Sequence, residues 1–385
     1  MRVCLVSSSF YPATHYGGPI SATWDLSKKL AKKGIEVYVS TTNANGSKKL
    51  DVECNKYLEK EVNVFVKYYN EQIINKLSFS FIFGIYSDIK KSDVVYIQYL
   101  FHYSVLFSLL FSAIHHKKII LCPRGSFSEF TLSNKFTFAK KLWLSLFIKP
   151  FVNQIVWQAS SYLEEFDIKK KFPATTVEII NDGVDFQSLQ GYQQISKIEL
   201  VNRYSNSNNN NVSNLFFSMG RLHKIKGFDI LIDAFHLLLQ EDKDAKLIIA
   251  GGDDGAEEQL NSQIKELNIE NSVFLIGAIG FDEKKMLLNN CDYFTLASEF
   301  ESFGIVVAEA LSCGLPVVVS NKTPWKDIEI NNCGIFAQNE KVSFYQAFQK
   351  VQNIKYNKKQ IKKYVKENYD WEILVEKFIN CIKSS

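Results

Sequence analysis

The stretch "RVCLVSSSFYPATHYGGPISATWDLSKKLAKKGIEVYVSTT", residues 2–42, decides the fold. It opens on "RVCLVS", a short apolar run of strand length, and passes through the loop "SSFYPATHYGGPI". The helical pattern "SATWDLSKKLAKKGI" then stops at Gly34, and "EVYVSTT" is the next strand. Strand, loop, helix and strand in that order predict a doubly wound parallel α/β sheet, because parallel neighbours need a crossover that a helix supplies. Further strands are expected at "DVVYIQYL" (93–100), "KIILCPRG" (118–125), "QIVWQAS" (154–160) and "VEIINDGVD" (177–185).

The tract "RYSNSNNNNVSN", residues 203–214, has little apolar surface to bury and reads as an exposed loop or linker. Directly after it the pattern restarts. Strands "LFFSMG", "KLIIAGG", "VFLIGAI" and "YFTLAS" alternate with helices "FDILIDAFHLLL", "EEQLNSQIKEL" and "EKKMLLNNC". This is a second Rossmann-like unit. The expected division is therefore 1–195, completed by a C-terminal helix from about 366 to 385, and 196–365. Two such domains in tandem usually hold ligand between the carboxyl ends of their sheets.

At 385 residues and 46% hydrophobic, the chain is long enough for two cores. A net charge of +4 does not call for nucleic acid. Its distribution is uneven: residues 1–190 hold about 23 Lys and Arg against 16 Asp and Glu, leaving a slight acidic excess in the remainder. That asymmetry suits an anionic surface or substrate, and equally suits uneven solvated faces. The seven scattered cysteines form no C-x-x-C and no dense framework, so reduced thiols and a cytoplasmic protein are expected. "MRVCLVSSSF" lacks the apolar core of a signal peptide. Phe-rich runs such as "VLFSLLFSAI" (105–114) are shorter than the roughly 20 residues a spanning helix needs, so the protein is expected to be soluble, yet able to lie against a membrane. The first strand is followed by no G-x-G-x-x-G, and there is no G-x-x-x-x-G-K-[ST].

Three loops carry candidate chemistry. In "SEFESFGIVVAEALSCGLPVVVS" (298–320), Glu301 lies on the loop leaving a strand and Glu309 lies early in the helix that follows. The free N–H groups of that helix face the same way. Carboxylates accept hydrogen bonds only, which suits a hydroxyl-rich partner. One such glutamate alone would be an ordinary early-helix acid or a solvated loop residue. Two of them flanking Phe303-Gly304, with Gly-x-Pro after, make a site the better reading. In "GRLHKIKGFD" (220–229), Arg221 and Lys226 stand on another loop at the same sheet edge, where a planar guanidinium and a compact ammonium can neutralise a diphosphate. A basic loop by itself is more often simply solvated. Gly17-Gly18, in the loop after the first strand, permits close backbone approach to an anion, though a lone pair of glycines is a weak signal.

Together these features resemble the retaining GT-B glycosyltransferases of the "glycosyl transferases group 1" type. The resemblance covers nearly the whole chain and is strongest from about 215 to 325. It is carried by "YGG", "PRGSFSEFTLSNKFTFAKK", "INDGVD", "SMGRLHKIKGFDILIDAF", "IAGGDD" and "ASEFESFGIVVAEALSCGLPVVVS", with the E-x7-E spacing of Glu301 and Glu309 its most specific mark. The resemblance implies two Rossmann-like domains facing across a cleft. Arg221 and Lys226 would bind the donor diphosphate, Glu309 the nucleotide ribose and Glu301 hydroxyls of the donor sugar. Backbone N–H groups around Phe303 and Gly304 would contact sugar or phosphate, and the Gly17-Gly18 backbone would close over the phosphates. Arg124 and its loop would line the acceptor side. Many relatives carry a histidine near the end of the strand written here "VVYIQYLFHYS". Tyr96 and Gln98 stand where it is usual and His102 follows a turn later, either as a spatial substitute or as a residue packed in the loop. His15, just before Gly17, is open in the same way.

The resemblance implies retention of anomeric configuration, with Arg221, Lys226 and Glu301 at the catalytic centre. The cations are expected to stabilise the leaving diphosphate with no divalent metal and no cofactor. "GGDDG" (251–255) reads as a turn with adjacent acids rather than a metal motif. A paired-carboxylate hydrolase fits less well, since both glutamates belong to one loop and one helix of the same domain. The stretch "KFTFAKKLWLSLFIKPF" (135–151) sets Lys beside Phe, Leu and Trp, as a patch on anionic headgroups would, or as a core helix with a basic outer face would. On the first reading the acceptor is a lipid-linked saccharide at the inner face of the cell membrane, in O-antigen, capsule or other surface-polysaccharide synthesis. Two alternatives stay open: a GT-B epimerase or phosphorylase, and a non-catalytic donor-binding partner.

Overall fold

The computed structural model describes residues 1–72, 77–133, 136–205 and 210–384. Residues 206–209 of the Asn/Ser tract and 134–135 of the Phe-rich stretch lie outside the described residues. The chain forms two compact units, Met1–Gly183 with Trp371–Ser385, and Val184–Asp370.

The first unit is built on an eight-stranded sheet. Its spatial order is Val177–Ile179, Ile155–Ala159, Lys118–Cys122, Val94–Gln98, Arg2–Val6, Glu36–Thr42, Val64–Tyr69 and Tyr57–Glu61. All neighbours are parallel except the last pair, an antiparallel edge. The opening stretch behaves as its pattern predicts: Arg2–Val6 pairs in parallel with Glu36–Thr42 after the helix Gly18–Lys32 has crossed over. The two strands of that antiparallel pair, Val64–Tyr69 and the edge strand Tyr57–Glu61, were not expected from the sequence. Tyr57–Glu61 has no buried residue, so its apolar pattern is faint, whereas Val64–Tyr69 shows the alternating burial of a half-covered strand. The terminal helix Trp371–Lys383 belongs to this unit. It is joined to Gly18–Lys32 and the residue after it by Lys29–Glu372 and Lys33–Glu376, each at 2.6 Å, and Phe378 meets the Tyr96 ring at 4.7 Å.

The second unit has a six-stranded, wholly parallel sheet in the order Val273–Leu275, Lys246–Ala250, Leu215–Met219, Tyr293–Leu296, Val317–Ser320, Gly334–Ala337. Both faces are covered. Phe217 packs on one side with Ile248, Phe294 and Val319, while its neighbour Phe216 packs on the other with Phe235, Leu247 and Phe348. Strands buried on both faces explain the continuous apolar runs in the sequence.

The division falls at 183/184 and 370/371, not at 195/196 and about 365/366. Val184, Leu189, Leu200 and Val201 are buried in the second core, and the Val184 N–H donates to the Tyr369 carbonyl at 2.9 Å. Helix Lys358–Tyr369 places Ile361 and Val365 in the same core. The described flanks of the Asn/Ser tract, Tyr204 and Val212, also pack there, so both flanks belong to the second core.

Candidate functional site

The strand order of the second unit reverses between Leu215–Met219 and Tyr293–Leu296. In parallel α/β sheets, a crevice opens at the carboxyl ends of the strands at such a switch point. The loops leaving these two strands carry Arg221 with Lys226, and Glu301. The first loop ends in a short 3-10 turn, Lys224–Lys226, closed by Gly227 at φ +62°. A Cβ on Gly227 would lie 2.1 Å from the Ala297 carbonyl oxygen, so only glycine lets this loop rest directly on the other. The Glu299 N–H donates to the Ile225 carbonyl at 2.8 Å and ties the two together. The Lys226 ammonium reaches Glu301 Oε1 at 2.6 Å, and the Ser298 hydroxyl donates to the same oxygen at 2.7 Å. With side chains 17% and 12% exposed, this is a largely buried ion pair that keeps an open edge.

The loop of Glu301 is anchored from behind. Phe303 is buried against Trp325 and Tyr369, and the Trp325 indole N–H donates to the Phe303 carbonyl at 2.7 Å. Gly304, at φ +82°, then turns the chain into the helix Ile305–Ser312; the Val307 N–H donates back to the Gly304 carbonyl at 2.9 Å, and the two amides before it have no acceptor within the helix. Glu309 is the fifth residue of that helix, beyond the first turn rather than among its free amides. Its carboxylate accepts from Lys284 Nζ at 2.6 Å. Lys284 comes from the helix Phe281–Asn290 and also lies 5.4 Å from the centre of the Phe281 ring. The sequence reading did not find Lys284, because a single lysine 25 positions upstream in a polar helix carries no motif.

Arg221 pairs with Asp254, so one acid of "GGDDG" faces the basic loop. The other, Asp253, accepts from the N–H groups of Gly255, Ala256 and Glu257, which hold its carboxyl below the usual range. The structure thus joins Lys226 to Glu301, and pairs Arg221 and Glu309 with partners outside the original constellation.

In the first unit, Gly17 lies at φ +72° and Gly18 begins the helix Gly18–Lys32. His15 packs edge-on to Tyr16 and against the backbone of Gly46. His102 caps the helix Tyr103–Ile114: its Nδ1 accepts from the Ser104 N–H at 3.3 Å, and its ring lies 4.3 Å from Tyr103. Gln98, at the end of the strand Val94–Gln98, accepts from Arg124 Nε at 2.7 Å. The expectation that the Arg124 side chain lines an acceptor surface needs correcting. Its guanidinium is only 2% exposed, ion-paired with Asp182 and turned into the fold. Burial, the largest single influence on its pKa, works against the charge, but the Asp182 carboxylate and its hydrogen bond, together with the neighbouring Cys122 and Tyr96, outweigh it and hold the guanidinium above its ordinary range. The loop backbone around Arg124 and Gly125 is left at the carboxyl edge of the sheet, both residues at positive φ.

Two doubly wound parallel units of this form make up the GT-B fold, within the α/β class. The family described as "Glycosyl transferases group 1" matches residues 202–369, which are a domain of that family. The chain is 27% identical over 241 residues to an uncharacterized glycosyltransferase of Methanocaldococcus jannaschii, covering 60% of each chain. It is 28% identical over 190 residues to the N-acetylgalactosamine-N,N'-diacetylbacillosaminyl-diphospho-undecaprenol 4-alpha-N-acetylgalactosaminyltransferase of Campylobacter jejuni, covering 49% of this chain and 47% of that one. The chain therefore spans about half the length of the curated relatives it matches. Among solved structures, Anabaena HepE in complex with UDP superposes with a TM-score of 0.78 at 18% identity, covering 100% of both chains.

Proposed function

We propose that the protein is a retaining, metal-independent glycosyltransferase that moves a sugar from a nucleotide-sugar donor to a saccharide acceptor. The observation that carries this reading is the Lys226–Glu301 pair at the switch point of a group 1 domain. A cation for phosphate and a carboxylate for hydroxyls sit in contact there, on loops locked by Gly227 and Trp325.

In this reading Lys226 and Arg221 bind the donor diphosphate, each exchanging its carboxylate partner for phosphate oxygens. Glu301 and Ser298 hold sugar hydroxyls, Glu309 holds the ribose, and the first-turn amides at Gly304 take phosphate or sugar oxygens. The bond between the anomeric carbon and the diphosphate oxygen breaks with its electrons passing to the phosphate. The acceptor oxygen bonds to the anomeric carbon from the same face, and its proton passes to the leaving phosphate. Negative charge grows on the diphosphate during this step, so preorganised cations there stabilise the transition state more than the ground state. No metal is needed for that neutralisation.

The acceptor is proposed to be a lipid-linked saccharide in surface-polysaccharide synthesis. The Campylobacter relative, named for a diphospho-undecaprenol acceptor, supports this. So do Phe136 and Phe138, exposed to 78% and 80% beside Lys140 and Lys141, a pattern that suits docking on the anionic cytoplasmic face of a membrane. Among the described residues no helix is long and apolar enough to cross a membrane.

The test is a thermal-shift panel of UDP-, GDP-, ADP- and dTDP-linked sugars with the bare nucleotides, repeated with EDTA and on Lys226→Ala and Glu309→Ala. One nucleotide class is expected to stabilise the wild type with or without EDTA and to fail in both variants. In turnover, Lys226→Ala is expected to lower kcat by about a hundred-fold, as loss of one preorganised oxyanion partner does. If no donor shifts the folded wild type, the proposal is wrong.

A further inference from the structure

We propose that the outer face of the helix pair Phe79–Lys90 and Tyr103–Ile114 inserts into the interfacial layer of a bilayer with anionic headgroups. The inference rests on the membrane-docking reading above and deepens it, by moving the main contact from the stretch around Phe136 and Phe138 to these two helices. Each helix carries large apolar residues on two faces, a pattern that belongs to a helix covered on both. One face of each is covered: Phe81, Ile85 and Ile89 of the first and Val105 and Leu109 of the second are buried in the core. The other face is open. Phe79, Phe83 and Tyr86 are exposed at i, i+4 and i+7, Phe83 to 80%, and Leu110 and Ile114 are exposed one turn apart. The Tyr86 ring meets Phe111 edge-on at 5.3 Å and lies 4.7 Å from His115, which joins the two stripes into one surface. A contiguous apolar surface of this kind marks an interaction site, whereas single exposed apolar residues do not.

Charge decides what covers this face. The one acid in either helix, Asp88, is buried and accepts from the Ser40 and Tyr69 hydroxyls and from Lys67. Lys90 and Lys91 are exposed at the carboxyl end of the first helix, and Lys117 is partly exposed just beyond the second. Asp93, two residues past Lys91, accepts from the Arg2 N–H at 2.7 Å. The strands that follow, Val94–Gln98 and Lys118–Cys122, are parallel neighbours with Val94 opposite Lys118, so both helix ends and their lysines stand at one edge of the sheet. A face of Phe, Tyr, Leu and Ile with lysines gathered along one rim has the layout of an interfacial helix pair. The apolar side reaches the acyl boundary while the cations stay among the headgroups. A second copy of this chain would cover the apolar residues but bring a rim of the same sign. Anionic lipid answers both features.

The experiment is flotation of the full chain with vesicles of phosphatidylcholine alone and of phosphatidylcholine mixed equally with phosphatidylglycerol, at low and high salt. The wild type is expected to prefer the anionic vesicles. Phe83→Gln is expected to weaken that binding about ten-fold at either salt, with an unchanged melting temperature, because the benefit of burying the ring is lost. Lys90→Gln with Lys91→Gln is expected to weaken it about as much, roughly ten-fold, at low salt and little at high salt, where surface charges are screened. Phe83→Trp is expected to keep binding, and its emission to shift to the blue on adding vesicles, beyond any shift of the wild type. Wild-type binding by Phe83→Gln, or no added shift in Phe83→Trp, overturns the inference. Loss of binding in Phe136→Ser with Phe138→Ser then leaves the earlier membrane reading standing. Equal binding to both kinds of vesicle also overturns the inference, since the lysine rim then plays no part. So does a wild-type dimer that Phe83→Gln splits in light scattering, which gives the face to a second copy. If the wild type binds neither vesicle, the membrane reading fails and this inference falls with it.

Discussion

Arg124 sits in the left-handed region at φ +53° although it carries a full side chain, and Tyr99, after the adjacent strand, does the same at φ +69°. Such conformations persist only where the surroundings hold them. Around Arg124 they do: Gln98 accepts from Nε, Asp182 takes the guanidinium, and the next residue, Gly125, donates its N–H to the buried Glu164 at 2.5 Å. The pair is buried, so removing one partner strands the other charge. Arg124→Met is expected to cost about 3–5 kcal/mol in urea unfolding, and Arg124→Met with Asp182→Asn to recover most of it. If the single variant is as stable as the wild type, the pair does not hold the loop. Lys226–Glu301 and Lys284–Glu309 differ in kind, since each keeps an edge open and has chemistry to offer a ligand.

At the scale of elements, the terminal helix Trp371–Lys383 shows how a distant segment completes a unit. Its apolar face, with Leu374, Val375, Phe378 and Ile382, is buried, and Glu372 bonds Lys29 on the helix Gly18–Lys32. That hydrogen bond, assisted by the charges of Lys29, Lys33 and Lys32, holds the Glu372 carboxyl below its ordinary range despite some desolvation. A depressed folded-state pKa contributes stability that is complete above the unfolded-state value and is lost as pH falls through the folded value. Glu372→Gln is therefore expected to lower stability at pH 7 by about 0.5 kcal/mol, a figure kept small because Glu372 is largely solvated. The difference between variant and wild type should vanish in acid below the carboxylate range. Denaturant titrations at both pH values check this, and a difference that persists in acid would assign the effect to packing.

At the scale of the whole molecule, each unit has its own sheet and buried core. Heat unfolding is expected to depart from two-state behaviour in scanning calorimetry, with a calorimetric enthalpy exceeding the van't Hoff value. A bound nucleoside diphosphate should raise the transition of the second unit. Arg124→Met should lower that of the first, and a single transition moved equally by both would count against independent units. The architecture was largely legible in the sequence: the strand–helix order of residues 2–42, its restart after residue 214, and the charged loops 220–229 and 298–304 follow from local patterns of burial and turn chemistry. Those patterns repeat every few residues, so neighbours in the chain suffice to read them. The sequence alone could not determine the edge pair Tyr57–Glu61 and Val64–Tyr69, the division at 183/184, the inward turn of Arg124 or the pairing of Lys284 with Glu309. Each of these depends on residues brought together across 25 positions or more, or on burial that no local stretch records. Only packing in three dimensions decides which of many solvated-looking charges acquires a partner.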